Sequence, residues 1–279
     1  MELSGAVGVV TGGARGLGKA IAEALAARGV KLALVDVVGE ELRETASELA
    51  KAGAAAIAVR ADITDCQAVE DMAERVRREL GPVDILINNA GSLTALGPVW
   101  EVDPDRWARD VTVNLIGTFL VSRAVVGDMM AKRNGYIISL VGAAVGEPHL
   151  YTTGYDTSKA GVVRLMDALA KEAAEYNVRC YAVTPGLVRT EMSRFIAESP
   201  EGRKWRPEFA GHYKAARTPP ERVANCCLAI LQGKADALTG RWVDATADFD
   251  RIFARAEEIV DSNLLVLRLR GLDKQGGGR

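Results

Sequence analysis

Histidine is scarce in this chain: His149 and His212 are the only two. That leaves little from which to build a histidine-based metal centre or a Ser-His-Asp triad. Cysteine is little used as well. Cys66, Cys180, Cys226 and Cys227 lack metal-ligand spacing, and neighbours such as 226 and 227 rarely bridge. All four are expected as reduced thiols, and no metal site is expected. Neither sign of charge dominates, with a net −2 and a pI of about 5.9, so nothing electrostatic calls for nucleic acid or an anionic membrane. No apolar run approaches the length of a membrane span. A strand-like pattern starts almost at Met1, leaving no room for a signal peptide. A cytoplasmic protein is the expectation.

What is present is a core-former's composition, 48% hydrophobic and 26% charged, arranged in alternating patterns. Short continuous apolar runs suit strands covered on both faces. They lie at Val7–Val10, Lys31–Val35, Ala56–Val59, Ile85–Ile87, Tyr136–Ile138, Val178–Val183 and Leu238–Val243. Between them come helical patterns at 16–28, 40–51 and 67–79. A further one starts at Pro104 with Trp107, Val111, Leu115 and Phe119 four apart, another carries Val162, Leu165, Met166 and Leu169, and the next opens at Thr218-Pro-Pro, read as a capping residue before prolines. Strand and helix in alternation predict an α/β fold, a doubly wound Rossmann-type parallel sheet of seven strands.

Residues 1–245 are read as one dinucleotide-binding catalytic domain. Within it, 187–217 form a polar and aromatic insertion covering the substrate, where Met192, Phe195 and Trp205 either offer apolar contacts or simply pack the loop. Residues 246–270 are read as a C-terminal helical extension, amphipathic through Phe249, Ile252, Phe253 and Ile259, and 271–279 as a disordered tail.

Thr11-Gly-Gly-Ala-Arg-Gly-Leu-Gly18 follows the first run and opens the first helix. Gly12, Gly16 and Gly18, with Arg15 and Leu17 between them, would let backbone and helix N-terminus approach a pyrophosphate. Asp36 ends the second run 18 positions after Gly18, where a carboxylate can accept from ribose hydroxyls. It would also repel a 2′-phosphate. Arg15 could attract one, but a fixed acid at the ribose edge outweighs a solvated arginine, so NAD(H) is favoured over NADP(H).

Tyr155 and Lys159 stand four apart at the start of a helix, hence on one face. An ammonium beside a phenol lowers a pKa that begins near about 10, which would let the tyrosine exchange protons with an alcohol or carbonyl oxygen.

With that pair in view, the sequence resembles the short-chain dehydrogenase/reductase family in its compact form. The matching pieces are the Thr11–Gly18 glycine turn, Asp62 before Ile63, Asn88-Asn-Ala-Gly91, Asn114, Tyr155-x-x-x-Lys159, and Pro185-Gly186 with Thr190. The resemblance implies a sheet of order 3-2-1-4-5-6-7 and hydride transfer between nicotinamide and a secondary alcohol or ketone. It makes Tyr155 the general acid/base, Lys159 the holder of the nicotinamide ribose, and Asn114 the anchor of a proton-relay water. Asp62 and Ile63 would flank the adenine; Asn88, Ala90 and Gly91 would line the cleft, and Pro185, Gly186, Val188 and Thr190 would hold the nicotinamide end. A homodimer or homotetramer through the helices bearing Asn114 and Tyr155 is implied too.

The chain departs from the family at one place. The serine expected thirteen residues before the tyrosine is Gly142. Ser139 lies three residues upstream, roughly 10 Å along a strand, and Thr152 or Thr153 is either a replacement hydroxyl or a helix cap. Loss of one such donor costs on the order of a hundred- to a thousandfold in rate. Three readings follow: an NAD-dependent dehydrogenase or reductase, a catalytically weak NAD(H) sensor of the same fold, and a sugar-nucleotide epimerase, whose glycine spacing differs.

Overall fold

The computed structural model describes residues 1–142, 145–216 and 218–269. The seven apolar runs become seven parallel strands: β1 (Val7–Thr11), β2 (Lys31–Asp36), β3 (Ala56–Arg60), β4 (Ile85–Asn88), β5 (Gly135–Leu140), β6 (Val178–Thr184) and β7 (Trp242–Asp244). Their order is β3-β2-β1-β4-β5-β6-β7, with Val9 registered against Ala33 on one side and Leu86 on the other. β7 is the run whose start differs from the sequence pattern. Leu238 lies in a short turn, and Gly240 takes a left-handed φ of 82°, so the chain must turn before pairing can begin at Trp242.

Alternate strand side chains point to opposite faces, and each face buries its own core. On one, Val10, Leu32 and Ile138 pack with Ile21 and Leu25 of α1 (Gly16–Ala26) and Ile230 of α10 (Pro220–Leu231). On the other, Val9, Leu86 and Ile137 meet Val76 of α3 (Cys66–Glu79), Val125 of α5 (Thr118–Lys132) and Met166 of α6 (Thr153–Glu172). Helix α2 (Gly39–Lys51) completes the first face through Leu42 and Leu49.

The helix expected from Pro104 runs to Lys132 without a break, 29 residues that pass for a membrane span in length and composition. In the fold it serves as a core helix, its Val121, Val125 and Met129 fully buried against the sheet. Its first part, α4 (Pro104–Val111), is capped by Asp103, which accepts from the Asp105 and Arg106 N–H groups. A π-helical segment, Thr112–Gly117, then separates α4 from α5. The wider turn rotates the buried stripe: Phe119 comes to the surface, whereas Asp110, Asn114 and Thr118 are buried. Such insertions recur at functional sites.

Two helix starts also differ from the pattern. The residue flanking α10 is Pro219, not Thr218, and no side chain caps that helix. Thr152 flanks α6, but its hydroxyl turns to Asp156 Oδ1 at 3.1 Å instead of to the helix N–H groups.

Residues 187–217 carry three short helices, α7 (Glu191–Glu198), α8 (Pro200–Trp205) and α9 (Phe209–Ala215). They enclose a third apolar cluster around Leu93, Leu96, Ile196 and Phe209. Residues 246–269 form two helices rather than one, α11 (Phe249–Ala254) and α12 (Ala256–Asp261), which meet at Arg255. The tail at 271–279, and Arg270 before it, lie outside the described residues.

Candidate functional site

Strand order reverses between β1 and β4, and in such sheets the crevice beyond the strand C-termini at that point is where a ligand fits. A cleft of about 1060 Å³ opens there. Its nucleotide end is built from two turns tied together. Thr11 Oγ1 accepts from the Asn89 and Ala90 N–H groups at 3.1 Å each, and Asn89 Nδ2 donates to the Thr11 and Gly12 carbonyls at 3.0 Å. Gly18 is buried under this turn, and a Cβ there would stand 2.1 Å from the Gly12 oxygen. Only glycine lets α1 seat so close to the strand end. The N-terminus of α1 has no side-chain cap and no acidic residue in its first turn, so its N–H groups and positive dipole end stay available to a phosphate.

Asp36 is immobilised at the rim. Its Oδ2 accepts from Ala14 N–H at 3.2 Å and its Oδ1 from Val37 N–H at 2.8 Å. Arg15 is held elsewhere, paired with Glu41 at 3.0 Å and with Glu191 of α7 at 2.6 Å. Asp62 also lines the cleft. Its carboxyl is held below the ordinary range by hydrogen bonds from the Thr64 N–H and hydroxyl, with Arg109 adding a smaller attraction.

At the other end stand Tyr155 and Lys159, one turn apart on α6 and both on the cleft wall. The lysine is buried, and burial lowers its pKa to about 8. Its Nζ donates to the Leu140 carbonyl at 2.9 Å and lies 5.8 Å from the Tyr155 ring centre. The phenol is pushed up, not down: burial raises its pKa first, and the carboxylates of Asp156 and Asp110 raise it further. The four-residue spacing places the pair on one face, but with the ammonium turned to a carbonyl the expected depression of the phenol is not produced by the protein's own groups.

Gly142 does face the tyrosine. A Cβ at this position would meet Tyr155 Cε1 at 2.7 Å and the hydroxyl at 3.0 Å. Ser139 cannot stand in, because it is fully buried on β5, accepting from Asn88 Nδ2 and donating to Met166 Sδ. Thr153 is taken by the Trp107 indole at 3.1 Å. Thr152 lines the cleft but is bonded to Asp156.

Of the residues predicted for the site, the cleft collects Gly12, Arg15, Gly16, Leu17, Asp36, Asp62 and Ile63 at one end. It collects Ala90, Gly91, Tyr155, Lys159, Pro185, Gly186, Val188 and Thr190 toward the other. Gly18, Asn88 and Asn114 lie behind the wall. Asn88 turns inward to Ser122 and Ser139, and its neighbour Asn89 reaches the cleft instead. Asn114 is fully buried in the π segment. It accepts from Ser92 N–H at 2.8 Å and donates to the Ser92 carbonyl and to Ser158 Oγ, so it braces the Gly91 turn against α6. Thr190 both lines the cleft and caps α7 by accepting from Ser193 N–H. Met192 reaches the cleft, whereas Phe195 packs in the insertion and Trp205 stacks on Tyr151 at 5.2 Å. Sequence reasoning missed His149, Arg206 and Phe209, which no motif marks: Arg206 and Phe209 come to the site with α8 and α9, and His149 lies before α6, its N–H bonded to Asp156. Among the described residues, no group of three His, Cys, Asp or Glu side chains could hold a metal ion.

The chain belongs to the short chain dehydrogenase family, whose sequence profile matches residues 6–201. It is 33% identical over 245 residues to 2,3-dihydro-2,3-dihydroxybenzoate dehydrogenase of Bacillus subtilis (strain 168), covering 85% of this chain and 93% of that one. It is 32% identical to the 3-oxoacyl-(acyl-carrier-protein) reductase FabG of Escherichia coli (strain K12), covering 86% and 95%. Among solved structures, NAD+-bound xylitol dehydrogenase superposes with a TM-score of 0.79 at 26% identity, over 88% of this chain and 98% of that one. Levodione reductase gives 0.80 at 26%, over 86% and 96%. Relatives named as dehydrogenases and reductases make this an oxidoreductase fold with a place for a nicotinamide cofactor.

Proposed function

We propose that this chain interconverts a secondary alcohol and a carbonyl compound with NAD(H) in the cytoplasm, Tyr155 acting as general acid/base. The observation that carries the reading is the shared wall: Tyr155 and Lys159 stand on the same cleft that receives the uncapped α1 N-terminus and Asp36. The residues fit a dinucleotide. Gly12, Gly16 and the α1 N–H groups would take the pyrophosphate, Asp36 the adenine-side ribose hydroxyls, Asp62 and Ile63 the adenine, Lys159 the other ribose, and Pro185, Gly186, Val188 and Thr190 the carboxamide side. When bound, the nicotinamide supplies or accepts the hydride.

The chain's own part is proton handling. A phenol kept protonated by burial and by Asp156 and Asp110 is in the form that donates to a carbonyl oxygen, so reduction suits neutral pH and alcohol oxidation suits alkaline pH. Lys159, whose ammonium burial makes easier to deprotonate, can give up or take up a proton on the same cleft wall. NAD(H) is favoured over NADP(H) because Asp36 is fixed at the ribose edge and Arg15 is held between two glutamates. The relatives' names, each a hydroxy or oxo compound, support the alcohol/carbonyl class. Assembly into a homodimer or homotetramer through the α4–α5 helix is part of the proposal, with Ile116 and Phe119 each 45% exposed there.

A second reading, a weak catalyst that senses NAD(H), is favoured by Gly142 and by the tyrosine ring lying against it. One experiment separates them. Secondary alcohols and ketones are screened by nicotinamide absorbance with wild type and Tyr155→Phe, and NADH affinity is read by calorimetry. The enzyme reading expects wild-type turnover that falls about 10²–10⁴-fold in the variant with NADH affinity unchanged. Turnover that survives the substitution overturns the assignment of Tyr155, and NADH binding with no turnover of any compound favours the sensor.

A further inference from the structure

The end of the cleft farthest from the glycine turn holds side chains that neither the nucleotide nor the proton transfer uses. Its wall is apolar, formed by Leu93, Leu187, Ile196, Phe209 and Tyr213. On that wall sits a cation. Arg206 ends α8, anchored by its N–H to the Gly202 carbonyl at 2.8 Å, and its guanidinium lies 5.4 Å over the Phe209 ring. The side chain is only 14% exposed. The one carboxylate within ion-pair distance, among the described residues, is Glu208, 3.3 Å from Nε and itself 54% exposed; Asp156 acts at longer range. Among the described residues no acceptor meets the two terminal Nη groups.

The Glu208 carboxylate occupies the Nε edge of the guanidinium and leaves the Nη edge of its donor fork open to the cleft. The acids that line the cleft, Asp36, Asp62 and Glu191, all stand at the cofactor end. At this end the other polar groups are His149 and His212. Arg206 and His149 line the same cleft as Tyr155, and both attract the carboxylate of Asp156, the residue beside it. The remaining nearby arginines are engaged: Arg189 donates to the Tyr213 and Lys214 carbonyls, and Arg194 pairs with Glu191.

We propose that Arg206 receives a carboxylate of the substrate, so that this chain acts on an oxo or hydroxy acid whose apolar body lies on Phe209 and Leu187 with its reacting oxygen at Tyr155. The inference rests on the oxidoreductase reading for the reacting oxygen, but not for the anion. A single carboxylate matches the free edge of one guanidinium, which pairs with it bidentately. A phosphate dianion would call for a second free cation, and none stands there among the described residues.

The test uses the full chain with NADH and three ligands of one shape: 3-oxocyclohexanecarboxylate, its neutral carboxamide, and 3-oxocyclohexyl phosphate. Calorimetry reads binding, and nicotinamide absorbance reads KM and kcat, for wild type, R206K and R206Q. The carboxylate should bind wild type about ten- to a hundredfold more tightly than the carboxamide, the scale of a hydrogen bond to a charged group. R206Q should erase that gap and R206K should keep part of it. The loss should appear in KM for the acid with kcat little changed, and NADH binding by R206Q reports an intact fold. Should R206Q not fold, the smaller loss in R206K carries the same test. The proposal is overturned if acid and amide bind wild type alike, if R206Q weakens both equally, or if the phosphate binds best. Acid binding through Arg206 without turnover upholds the anion site and removes the oxidoreductase reading; turnover of the neutral ketone with no advantage for the acid does the reverse.

Discussion

The two ends of the cleft are made in different ways. The nucleotide end is assembled from turns that directly follow β1, β2 and β4, held by bonds such as Asn89 to the Thr11 and Gly12 carbonyls. The substrate end is assembled from α7, α8 and α9, three helices of six to eight residues packed around Leu93, Ile196 and Phe209. One end is rigid because the sheet dictates its geometry. The other depends on how short helices settle on an apolar cluster, and that is where loop variation can change what is bound while the fold stays the same.

The largest effect that would sharpen this contrast is expected at the rigid end. Gly18→Ala would set a Cβ 2.1 Å from the Gly12 oxygen, and neither backbone can yield without opening the turn. NADH binding should disappear from calorimetry, and stability should fall by about 1–3 kcal/mol in denaturant unfolding, as for an overpacked core. Retained NADH affinity would mean that the turn is far more pliant than its geometry implies.

Next in size is Gly142→Ser, where the two ends meet. Its Cβ would need the Tyr155 ring to swing aside from 2.7 Å, a movement open to a side chain and not to a backbone. Ketone reduction should rise about ten- to a hundredfold as a donor returns to the developing oxyanion, with some loss of thermal stability. A lower Tm and no gain in rate would show instead that the tyrosine ring has taken over the serine's space.

Smaller again is the cofactor preference. Asp36→Ala should bring the NADH and NADPH dissociation constants closer by roughly tenfold, the scale of one repulsion across a partly solvated site. A wild-type preference for NADPH would place the decisive charge on Arg15 or on Arg60, whose Nε reaches the Val37 carbonyl.

The smallest shift is in the pH profile. Burial raises the Tyr155 pKa, and Asp156 and Asp110 add to it. Oxidation needs the phenolate, so its rate should climb with pH toward that raised value. Asp156→Asn removes one negative charge while its amide oxygen still accepts from the His149 N–H; the Thr152 hydroxyl, which bonds the other carboxylate oxygen, keeps the His149 carbonyl as its acceptor. The phenol pKa then falls, and the rising limb should move to lower pH by about one unit. A limb that stays in place would show that the proton in question is not on Tyr155.

Legibility in the sequence followed the same divide. Six of the seven strands began within a residue of their apolar runs, because a doubly covered parallel strand must be apolar on both faces. The seventh was misjudged at Leu238, where the left-handed Gly240 decides the start. The glycine turn, Asp36 and the Tyr155–Lys159 pair could be read because each depends on spacing within one element or one turn. Asn88 and Asn89 could not be told apart, since which of two adjacent amides faces the core depends on Ser122 and Ser139 from two other elements.

The sequence by itself determined the layers, the strand order implied by the family's motifs, and the place of the glycine turn, because local periodicity and short turns obey local sterics. Only the tertiary structure decided the rest. It showed that Lys159 bonds the Leu140 carbonyl while burial keeps the phenol high, that the π segment turns Asn114 inward, and that Gly142 lies against the Tyr155 ring. It also brought Arg206 and Phe209 from the insertion to the cleft. Each of these depends on burial and on partners far away in the chain, and neither quantity exists until the chain has folded.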